Sequence, residues 1–559
     1  MKRYNLINNS LGWLCFVIAA VTYLLTVEPT ASFWDCPEFI AQGYKLEVGH
    51  PPGNPIFILA ARFFINFVGG DASNVALAVN CMSALLSAAT ILLLFWTITH
   101  FVRRIILGDD TDGCELTAGQ LIVTMASGLV GALAYTWSDT FWFSAVEGEV
   151  YAFSSFCTAL VVWLVLKWEN RADEPHADRY LILIAYVIGI SIAVHLLNLL
   201  TIPALALVIY FRKIKDVKFS RLFVTILASF LVIALILYGL VPGFVEISQA
   251  FELFFVNTLH LGYNMGVLIY AIILVAVLIW CVKSLYSQKS LAQVRISFFL
   301  SVVLSGIPFI GSSWVTPVVI ILGLAAYLWA AKLLPVRVLT LTALSILVIF
   351  IGYSSYALLL IRASANPPMN QNAPDNVFTL SSYLNREQYG DTPLLFGQSF
   401  ATYPLYEVNM ATGDQKVVTT GKKTEYVKVV KTSPDEPDRY VEMETEGKPV
   451  YSQNFFFPRM YSSMPDHIDG YLGWIGESME TLPQENVQPL VDTNGIRIGE
   501  FFPVPTPSFA QNLRYFFNYQ LGYMYWRYFM WNFAGRQNDL QGQGELNRGN
   551  WISGIPAID

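Results

Sequence analysis

The sequence predicts an α-helical membrane protein with about eleven transmembrane helices, followed by an α+β domain outside the membrane. Of the 559 residues, 55% are hydrophobic and only 13% are charged, whereas about one quarter of the residues in an average soluble protein are charged. Uncharged runs such as 11–27, 181–210 and 222–241 approach or exceed the roughly 20 residues that cross a bilayer. Residues 362–559, in contrast, are polar and acidic.

The charge pattern orients the predicted transmembrane domain, residues 1–361. Lys and Arg concentrate in cytoplasmic loops. With a cytoplasmic N-terminus, the outer loops before Arg362 hold only Lys45 and Arg62 as Lys or Arg residues. The predicted spans are 9–27, 74–102, 117–137, 150–168, 180–196, 198–211, 220–240, 265–283, 296–311, 314–331 and 338–361.

The stretch 180–211 is compatible with one long helix or with two short helices. A single helix would place the basic stretch 212–218 outside and reverse the orientation of everything after it. The charge bias therefore favours a break around His195 and Asn198. Both residues are then expected near the outer face, where a water-filled cavity can satisfy the broken backbone.

Residues 362–559 form the predicted extracytoplasmic domain, because an odd number of crossings places them outside. They carry 22 acidic and 15 basic side chains, whereas the preceding part carries 19 of each. This acidic balance excludes a basic surface for nucleic acid. Alternating runs at 425–430 and 439–444 predict a β-hairpin. The aromatic-rich segment 512–533 predicts C-terminal helices that form either an ordinary core or a platform for carbohydrate or the membrane interface.

The first outer loop, about residues 28–73, contains the candidate catalytic residues. Asp35 and Glu38 are three residues apart and follow Trp34, and His50 begins the segment His-Pro-Pro-Gly-Asn-Pro. Charge at the edge of a membrane is costly and usually serves a function. Asp35 can act as a general base, and Glu38 can orient it, bind an acceptor or share a divalent cation with it. Asp-Cys-Pro-Glu is also the pattern of a helix capping box, and the two interpretations are compatible.

Five basic side chains are candidates to bind an anionic donor on this scarcely basic outer side. In the His50 segment, Asn54 can cap a helix that Pro55 opens, and a helix N-terminus beside an imidazole suits a phosphate. A rigid turn at the His50 segment, an ordinary loop histidine at 260 and a membrane-boundary arginine at 362 are the structural alternatives. The five candidates are Lys45, His50, Arg62, His260 and Arg362.

The second outer loop adds two further carboxylates at the entrance of a predicted span. Glu147 and Glu149 are two residues apart. They can bind sugar hydroxyls or share a metal, or they can simply be acids favoured by the dipole at a helix start. We group them with Trp34, His195 and Asn198 as candidate sugar-binding or acceptor-binding residues.

These motifs resemble those of a known family. The segments concerned are Asp-Cys-Pro-Glu at 35–38, His-Pro-Pro-Gly at 50–53, Val-Glu-Gly-Glu-Val-Tyr at 146–151, and Arg362 with the Asn-Pro-Pro that follows it. They are similar to the bacterial protein O-mannosyltransferase family, formerly a domain of unknown function. That family is related to a eukaryotic O-mannosyltransferase of the endoplasmic reticulum that acts on plexin-type receptors. Segments 386–390 and 531–539 are also similar to features of the bacterial members.

The resemblance implies a GT-C type glycosyltransferase of the bacterial inner membrane. It implies a donor sugar, with mannose as the candidate, carried on a polyprenyl phosphate, and it makes Asp35 the catalytic residue with Glu38 as its acidic companion. The resemblance does not point to a particular cofactor, although a divalent cation could bind. Where the relative's motif has small residues between the two acids, this chain has Cys36 and Pro37.

The resulting hypothesis is an inverting transfer of the sugar to Ser or Thr hydroxyls of exported proteins, with Asp35 as the base. Alternatives are a transporter or flippase of lipid-linked sugars, a glycosyltransferase with a lipid or polysaccharide acceptor, and a non-catalytic scaffold. Many transporters carry paired repeats and charges at the membrane midplane. Here no internal repeat is visible and the carboxylates cluster at one face, which favours the enzyme.

Overall fold

The computed structural model describes residues 2–69, 71–108, 115–287, 289–311, 313–330, 335–390, 392–540, 542, 544–545 and 547–559. These residues form two compact units. The first unit comprises Met1–Arg386 together with Lys428–Tyr440, and the second comprises Glu387–Val427 and Val441–Asp559. Residues 362–386 and 428–440 therefore group with the helices of the first unit.

The first unit is helical. Its helices are α1 (Lys2–Leu25), α2 (Cys36–Lys45), α3 (Pro55–Ile65), α4 (Val75–Leu107), α5 (Ala118–Thr136), α6 (Asp139–Ala145), α7 (Val150–Arg171), α8 (Arg179–Ile192), α9 (Ile202–Lys213), α10 (Phe219–Ala234), α11 (Val241–Leu253), α12 (Met265–Tyr286), α13 (Leu291–Leu304), α14 (Val315–Ala330), α15 (Val336–Tyr353), α16 (Ala357–Ser364) and α17 (Val377–Leu384).

Among the described residues, eight helical stretches are long and apolar enough to cross a membrane. They coincide with eight of the predicted spans, and the other three predicted spans overlap the shorter apolar helices α8, α13 and α14. The prediction of a helical membrane protein with several spans is therefore confirmed. The eight stretches are Lys2–Leu25, Ala72–Leu107, Ala118–Thr136, Val150–Arg171, Leu196–Lys213, Phe219–Thr258, Met265–Tyr286 and Val336–Ser364.

One expected loop is helical instead. The sequence predicted a span ending near residue 240 and a loop over 242–264, but α10 continues through a π-helical turn, Leu235–Leu240, into α11 and a second π-helical turn, Phe254–Thr258. Pro242 lies within this helical stretch, although a proline has no N–H to donate and usually ends or kinks a helix. The π-helical turn before it changes the hydrogen-bond register, so the helix passes the proline.

The predicted break in the stretch 180–211 is confirmed. Helix α8 ends at Ile192, a 3₁₀ turn covers Leu196–Thr201, and α9 starts at Ile202. His195 lies between the two helices in an extended conformation. The loop that carries it is therefore free to line a cavity.

Helices α8 and α15 pack closely against each other through their backbones. A Cβ atom at Gly189 would lie 2.7 Å from the carbonyl oxygen of Ile349, and one at Gly352 would meet the backbone of Gly189. Small residues of this kind let two backbones approach within a membrane. The pair lies in the largest core cluster, which includes Ile188, Ile349 and Phe350.

Polar contacts hold segment 428–440 to the first unit. The Lys428 Nζ atom lies 2.8 Å from Asp375 Oδ2, and Asn257 exchanges hydrogen bonds with the backbone of Tyr440. The Tyr440 hydroxyl donates to Glu252 Oε1 at 3.0 Å. Glu252 is fully buried and also accepts the backbone N–H of Gly266, so its charge is satisfied at the start of α12.

The second unit mixes short strands and helices, as predicted for an α+β region. Its largest sheet has the strand order β3-β2-β8-β9, in which β2 and β8 are parallel and the other neighbours antiparallel. Strands β4 and β5 pair as the predicted hairpin. The strands are β1 (Phe396–Gly397), β2 (Tyr406–Val408), β3 (Gln415–Val417), β4 (Lys422–Lys428), β5 (Tyr440–Glu446), β6 (Phe455–Phe456), β7 (Gln484–Val487), β8 (Leu490–Asp492), β9 (Arg497–Ile498), β10 (Phe502–Pro505), β11 (Gly535–Arg536) and β12 (Trp551–Ile552).

The aromatic-rich C-terminal segment is helical. It contains α19 (Phe509–Tyr515), a π-helical run over Phe516–Trp526 and α20 (Arg527–Trp531), and it follows α18 (Pro465–Ile475). Tyr515, Tyr471 and Phe400 belong to one buried cluster. Part of the segment is therefore an ordinary aromatic core, which was one of the two alternatives left open by the sequence.

Candidate active site

The two acids of the predicted first outer loop do not form a capping box. Asp35 is the residue before α2, but its side chain makes no capping hydrogen bond. Glu38 turns to other partners: its Oε1 atom accepts the amide of Gln42 at 2.9 Å and the backbone N–H of His50 at 2.7 Å. The same oxygen lies 3.0 Å from His50 Nδ1. The capping-box interpretation is therefore wrong, and both carboxylates belong to the His50 cluster.

A close backbone approach makes this cluster possible. A Cβ atom at Gly49 would collide with Gln42 Nε2 and Glu38 Oε1, so a larger residue there would have to displace both side chains. On the other side, the Tyr383 hydroxyl of α17 donates to the carbonyl oxygen of Gly49 at 2.6 Å. The loop that carries His50 is thus fixed between α2 and α17.

Glu38, His50 and Asp35 form a chain of alternating charge. Burial alone would raise the pKa of Glu38, but the hydrogen bonds from His50 outweigh it and the pKa is lowered. The hydrogen bond with Glu38 raises the pKa of His50, although burial opposes it. The other ring nitrogen of His50, Nε2, lies 4.0 Å from Asp35 Oδ2, and the Asp35 side chain is 58% exposed. Glu38 therefore favours a protonated His50 beside an accessible Asp35 carboxylate.

Asp35 and His50 line a cavity of about 530 Å³, whereas Glu38 does not. The wall of the cavity combines polar and apolar side chains. Its charged and polar side chains are Asp35, His50, Asn54, Glu149, Tyr151, His195 and Arg386. Its aliphatic side chains include Leu196, Leu197, Leu199, Leu200, Ile233 and Leu237, which come from the helix break and from the α10 region.

Glu149 brings a third carboxylate into the cavity. Burial raises its pKa to about 7, and the negative charges of Asp35 and Glu147 add to this shift. Near neutral pH Glu149 is thus partly protonated and can donate a hydrogen bond. Glu147 is also buried, and burial raises its pKa, but it is not among the residues that line the cavity.

Asn54 is a buried polar residue in the cavity wall with no partner within the described ranges. Its side chain was expected to cap α3, but it makes no capping hydrogen bond, while Pro55 does open that helix. Asn54 is only 4% exposed, and neither its Oδ1 nor its Nδ2 atom has a hydrogen-bond partner among the described residues. Such orphaned groups are costly unless a ligand or water satisfies them.

Of the two residues predicted at the helix break, His195 lines the cavity and Asn198 does not. His195 Nδ1 accepts the backbone N–H of Leu197 at 3.2 Å. Burial lowers the pKa of His195, and the charge of Arg386 lowers it further. Asn198 is 1% exposed and accepts a hydrogen bond from Thr158 Oγ1 at 3.4 Å, while its Nδ2 atom has no partner among the described residues.

Four of the five predicted phosphate-binding cations lie outside this cavity. Arg62 Nη1 donates to the carbonyl oxygen of Tyr44 at 2.6 Å, and Arg362 Nε donates to that of Leu46 at 2.6 Å. Both arginines therefore cap the C-terminal end of α2, where carbonyl groups lack helical partners. Lys45 and His260 are exposed. The predicted sugar-binding Trp34 is 85% exposed and is also absent from the cavity wall.

Arg386 lines the cavity, but the sequence did not predict it as a site residue. It follows α17 in a left-handed conformation, with φ of 57°, and it lines the cavity. Its segment was noted for its similarity to bacterial relatives, but 336 residues separate it from His50 along the chain. Only the packing of α17 against the first outer loop brings the two together.

The cluster also has the composition of a metal site. Ligand atoms of Asp35, Glu38 and His50 lie within 4.8 Å of one another. One imidazole and two carboxylates suit a divalent transition ion in kind. However, Glu38 Oε1 and His50 Nδ1 already bond each other, so an ion would have to replace that hydrogen bond.

Residues 35–218 match the family described as "Protein O-mannosyl-transferase TMEM260 N-terminal domain". The resemblance to the protein O-mannosyltransferase family is confirmed. The matched segment contains Asp35, Glu38, His50, Glu149 and His195. Residues 390–517 match a family of unknown function, DUF8416.

Two curated relatives carry the same family name. The chain is 24% identical over 191 residues to "Protein O-mannosyl-transferase tmem260" of Dictyostelium discoideum, which covers 33% of this chain and 21% of the relative. It is 24% identical over 201 residues to the TMEM260 protein of Mus musculus, covering 36% of this chain and 26% of the relative. The match therefore spans about a fifth to a quarter of these relatives. No solved structure matches the chain.

Proposed function

We propose that this protein is a membrane glycosyltransferase of GT-C type. In this proposal it moves a sugar, with mannose as the first candidate, from a polyprenyl-phosphate carrier to Ser or Thr hydroxyls of exported proteins. We further propose about eleven crossings of a bacterial inner membrane, with the first outer loop and the C-terminal unit outside. The family match over residues 35–218 supports the reaction class.

The observation that carries the proposal is the cavity whose wall combines charged, polar and aliphatic side chains. A lipid-linked sugar phosphate has three parts: a polar sugar, an anionic phosphate and an apolar chain. The carboxylates of Asp35 and Glu149 offer acceptors for the sugar end, His50 and Arg386 offer positive charge, and leucines 196, 197, 199 and 200 offer an apolar wall. Such convergent polar groups in a mostly apolar cleft are typical of ligand sites.

The chemistry follows from the positions of these groups. Asp35 takes the proton from the acceptor hydroxyl as the hydroxyl oxygen attacks the anomeric carbon. The bond from that carbon to the phosphate oxygen breaks, and its electron pair leaves on the polyprenyl phosphate. One displacement on the face opposite the leaving group inverts the anomeric configuration.

The remaining cavity residues stabilise the developing charges. Protonated His50, held by Glu38, and the guanidinium of Arg386 supply positive charge for the leaving phosphate. Partly protonated Glu149 and the amide of Asn54 are the groups best suited to bind sugar hydroxyls, because Asn54 gains the hydrogen bonds that it otherwise lacks. The bond between Glu38 and His50 makes a metal unnecessary in this mechanism, so EDTA should leave turnover unchanged.

The reaction is tested with the purified full chain in detergent, polyprenyl-phosphate mannose and a Ser/Thr-containing peptide. Mass spectrometry should find peptide enlarged by one hexose, together with free polyprenyl phosphate. Donor cleavage without glycopeptide, combined with a labelled lipid or polysaccharide, would favour the alternative acceptors. Movement of intact donor across vesicles, with no cleavage, would instead favour the flippase and contradict the enzyme.

A further inference from the structure

A second cavity, of about 470 Å³, lies at the far end of α7 from the candidate active site. Val150, at the start of α7, lines the first cavity, whereas Trp163, Lys167 and Arg171 line the second. The rise of 1.5 Å per helical residue separates Val150 from Lys167 by about 25 Å along the helix. The second cavity therefore lies toward the opposite face of the membrane.

The wall of this second cavity is basic. Arg103, Lys167 and Arg171 are its basic side chains, and the carboxylate of Glu174 also lines it. His100 is also present, 3.1 Å from the Glu169 carboxylate. Four amide side chains complete the polar wall, namely Asn5, Asn8, Asn9 and Asn170.

Aromatic rings surround the basic groups. The Lys167 Nζ atom lies 4.8 Å from the ring centroid of Trp163, and the Arg103 guanidinium lies 5.2 Å from that of Tyr4. Trp163 stacks on Trp96 at 5.6 Å. Trp and Tyr rings beside Lys and Arg are typical of the level of lipid headgroups.

Two polar atoms in this wall lack partners. Asn8 Oδ1 and Trp96 Nε1 are buried and have no hydrogen-bond partner among the residues that the structure describes. Trp96 Nε1 can only donate, which suits an anionic oxygen. Trp96 Nε1 therefore gives the cavity wall an unmet hydrogen-bond donor in addition to its charge.

Basic residues near a cytoplasmic face usually need no ligand, because orientation alone explains them. Arg212 and Lys213, at the end of α9, fit that ordinary explanation, since both bind the Asp173 carboxylate, at 2.5 and 3.0 Å. The basic residues of the second cavity differ because they line one cavity together. We propose that this cavity binds the phosphate of an anionic ligand, with an anionic phospholipid headgroup as the first source and a soluble phosphate ester as the second.

Native mass spectrometry of the full chain tests this site without using transfer activity. The probes are phosphatidylglycerol, phosphate-free diacylglycerol and soluble glycerol phosphate. The test variant is Arg103→Gln with Lys167→Gln, and Arg103→Lys with Lys167→Arg preserves the charge. The matched control is Lys215→Gln with Arg221→Gln, which removes the same charge from exposed residues outside the cavity.

The proposal expects phosphatidylglycerol to bind at least tenfold more weakly to the glutamine pair and unchanged to the control, with binding retained by the charge-preserving pair. Glycerol phosphate that binds as tightly as phosphatidylglycerol assigns the site to a soluble ester. Equal binding of phosphatidylglycerol to wild type and the glutamine pair, both with unchanged melting temperature, overturns the proposal. Diacylglycerol that binds as well as phosphatidylglycerol overturns it as well.

Discussion

The Nδ1 atom of His50 lies 3.0 Å from Glu38 Oε1, and this contact raises the pKa of the imidazole whose other nitrogen lies near Asp35. Glu38 lies on α2, and His50 lies in the loop after it. Charge-assisted hydrogen bonds of this kind are stronger than neutral ones and fix the ring orientation. The rate of the proposed transfer reaction should therefore depend on the protonation of this pair, and so on pH.

The contact between Glu38 and His50 should appear in the pH dependence of turnover. The ordinary pKa of a histidine is 6.5. Because the pKa of His50 is raised, its ring stays protonated to higher pH than an ordinary histidine. If the protonated ring assists the leaving phosphate, kcat/KM should fall as the pH rises through this pKa. In Glu38→Gln the largest cause of the shift is lost, so the fall in kcat/KM should move to lower pH, and the variant should lose activity at pH values where the wild type is still active. A pH profile unchanged in Glu38→Gln would contradict this role.

Gly49 permits the contact between Glu38 and His50. In Gly49→Ala the new methyl group should displace the Glu38 and Gln42 side chains, so the variant should resemble Glu38→Gln in its pH profile and lose at least tenfold in kcat. Gly119→Ala is the control, because a Cβ there meets nothing within 4 Å. Equal kcat in the two variants would show that the close approach is unimportant.

Glu149 should make stability depend on pH. Its pKa is raised from 4.5 to about 7 in the folded protein, so the folded state holds the proton more tightly than the unfolded state. The free energy of unfolding should therefore decrease as the pH rises from about 4.5 to about 7. Glu149→Gln removes this decrease, with a gain on the order of 3 kcal/mol at pH 8 and none below pH 4.5. A gain that is the same at pH 4 and pH 8 would exclude the titration as its cause.

Substitutions at Arg386 and Arg62 should distinguish a residue that binds the donor from a residue that stabilises the fold. Arg386→Gln removes positive charge from the cavity and should raise the KM for the lipid-linked donor about tenfold. Arg62→Gln breaks a bond to the Tyr44 carbonyl and should lower the melting temperature while leaving that KM unchanged. Donor titrations of the two variants distinguish the roles. If only Arg62→Gln raised the donor KM, Arg62, as first predicted from the sequence, would bind the phosphate and Arg386 would not.

The sequence was sufficient for features that depend on local pattern and length. The apolar runs identified the helices, and charge bias alone identified the break at His195, because a continuous helix would have reversed the loops that follow. Alternation at 425–430 and 439–444 identified the hairpin. The continuation of α10 past Pro242 was missed because a π-helical turn has no local signature of the kind that ends or starts a helix.

The site was harder to predict because it depends on contacts between distant segments. The types and positions of Asp35, Glu38, His50, Glu149 and His195 indicated a polar cluster, and all but Glu38 line one cavity. Scarcity of outer positive charge suggested Arg62 and Arg362, yet both bind carbonyls at the end of α2. Arg386 belongs to a segment far along the chain, so no local rule could bring it to the cavity.

The central claim is that Asp35 is the base of a sugar transfer. It is tested most directly by the turnover number of Asp35→Asn with polyprenyl-phosphate mannose and the acceptor peptide. Asp71→Asn is the control, because Asp71 lies in the same outer loop and bonds Ser73 and Asn74 at the surface. General-base contributions of about 100-fold or more predict a loss of that size in Asp35→Asn, with unchanged melting temperature and near wild-type turnover in the control. Wild-type turnover in Asp35→Asn would contradict the claim.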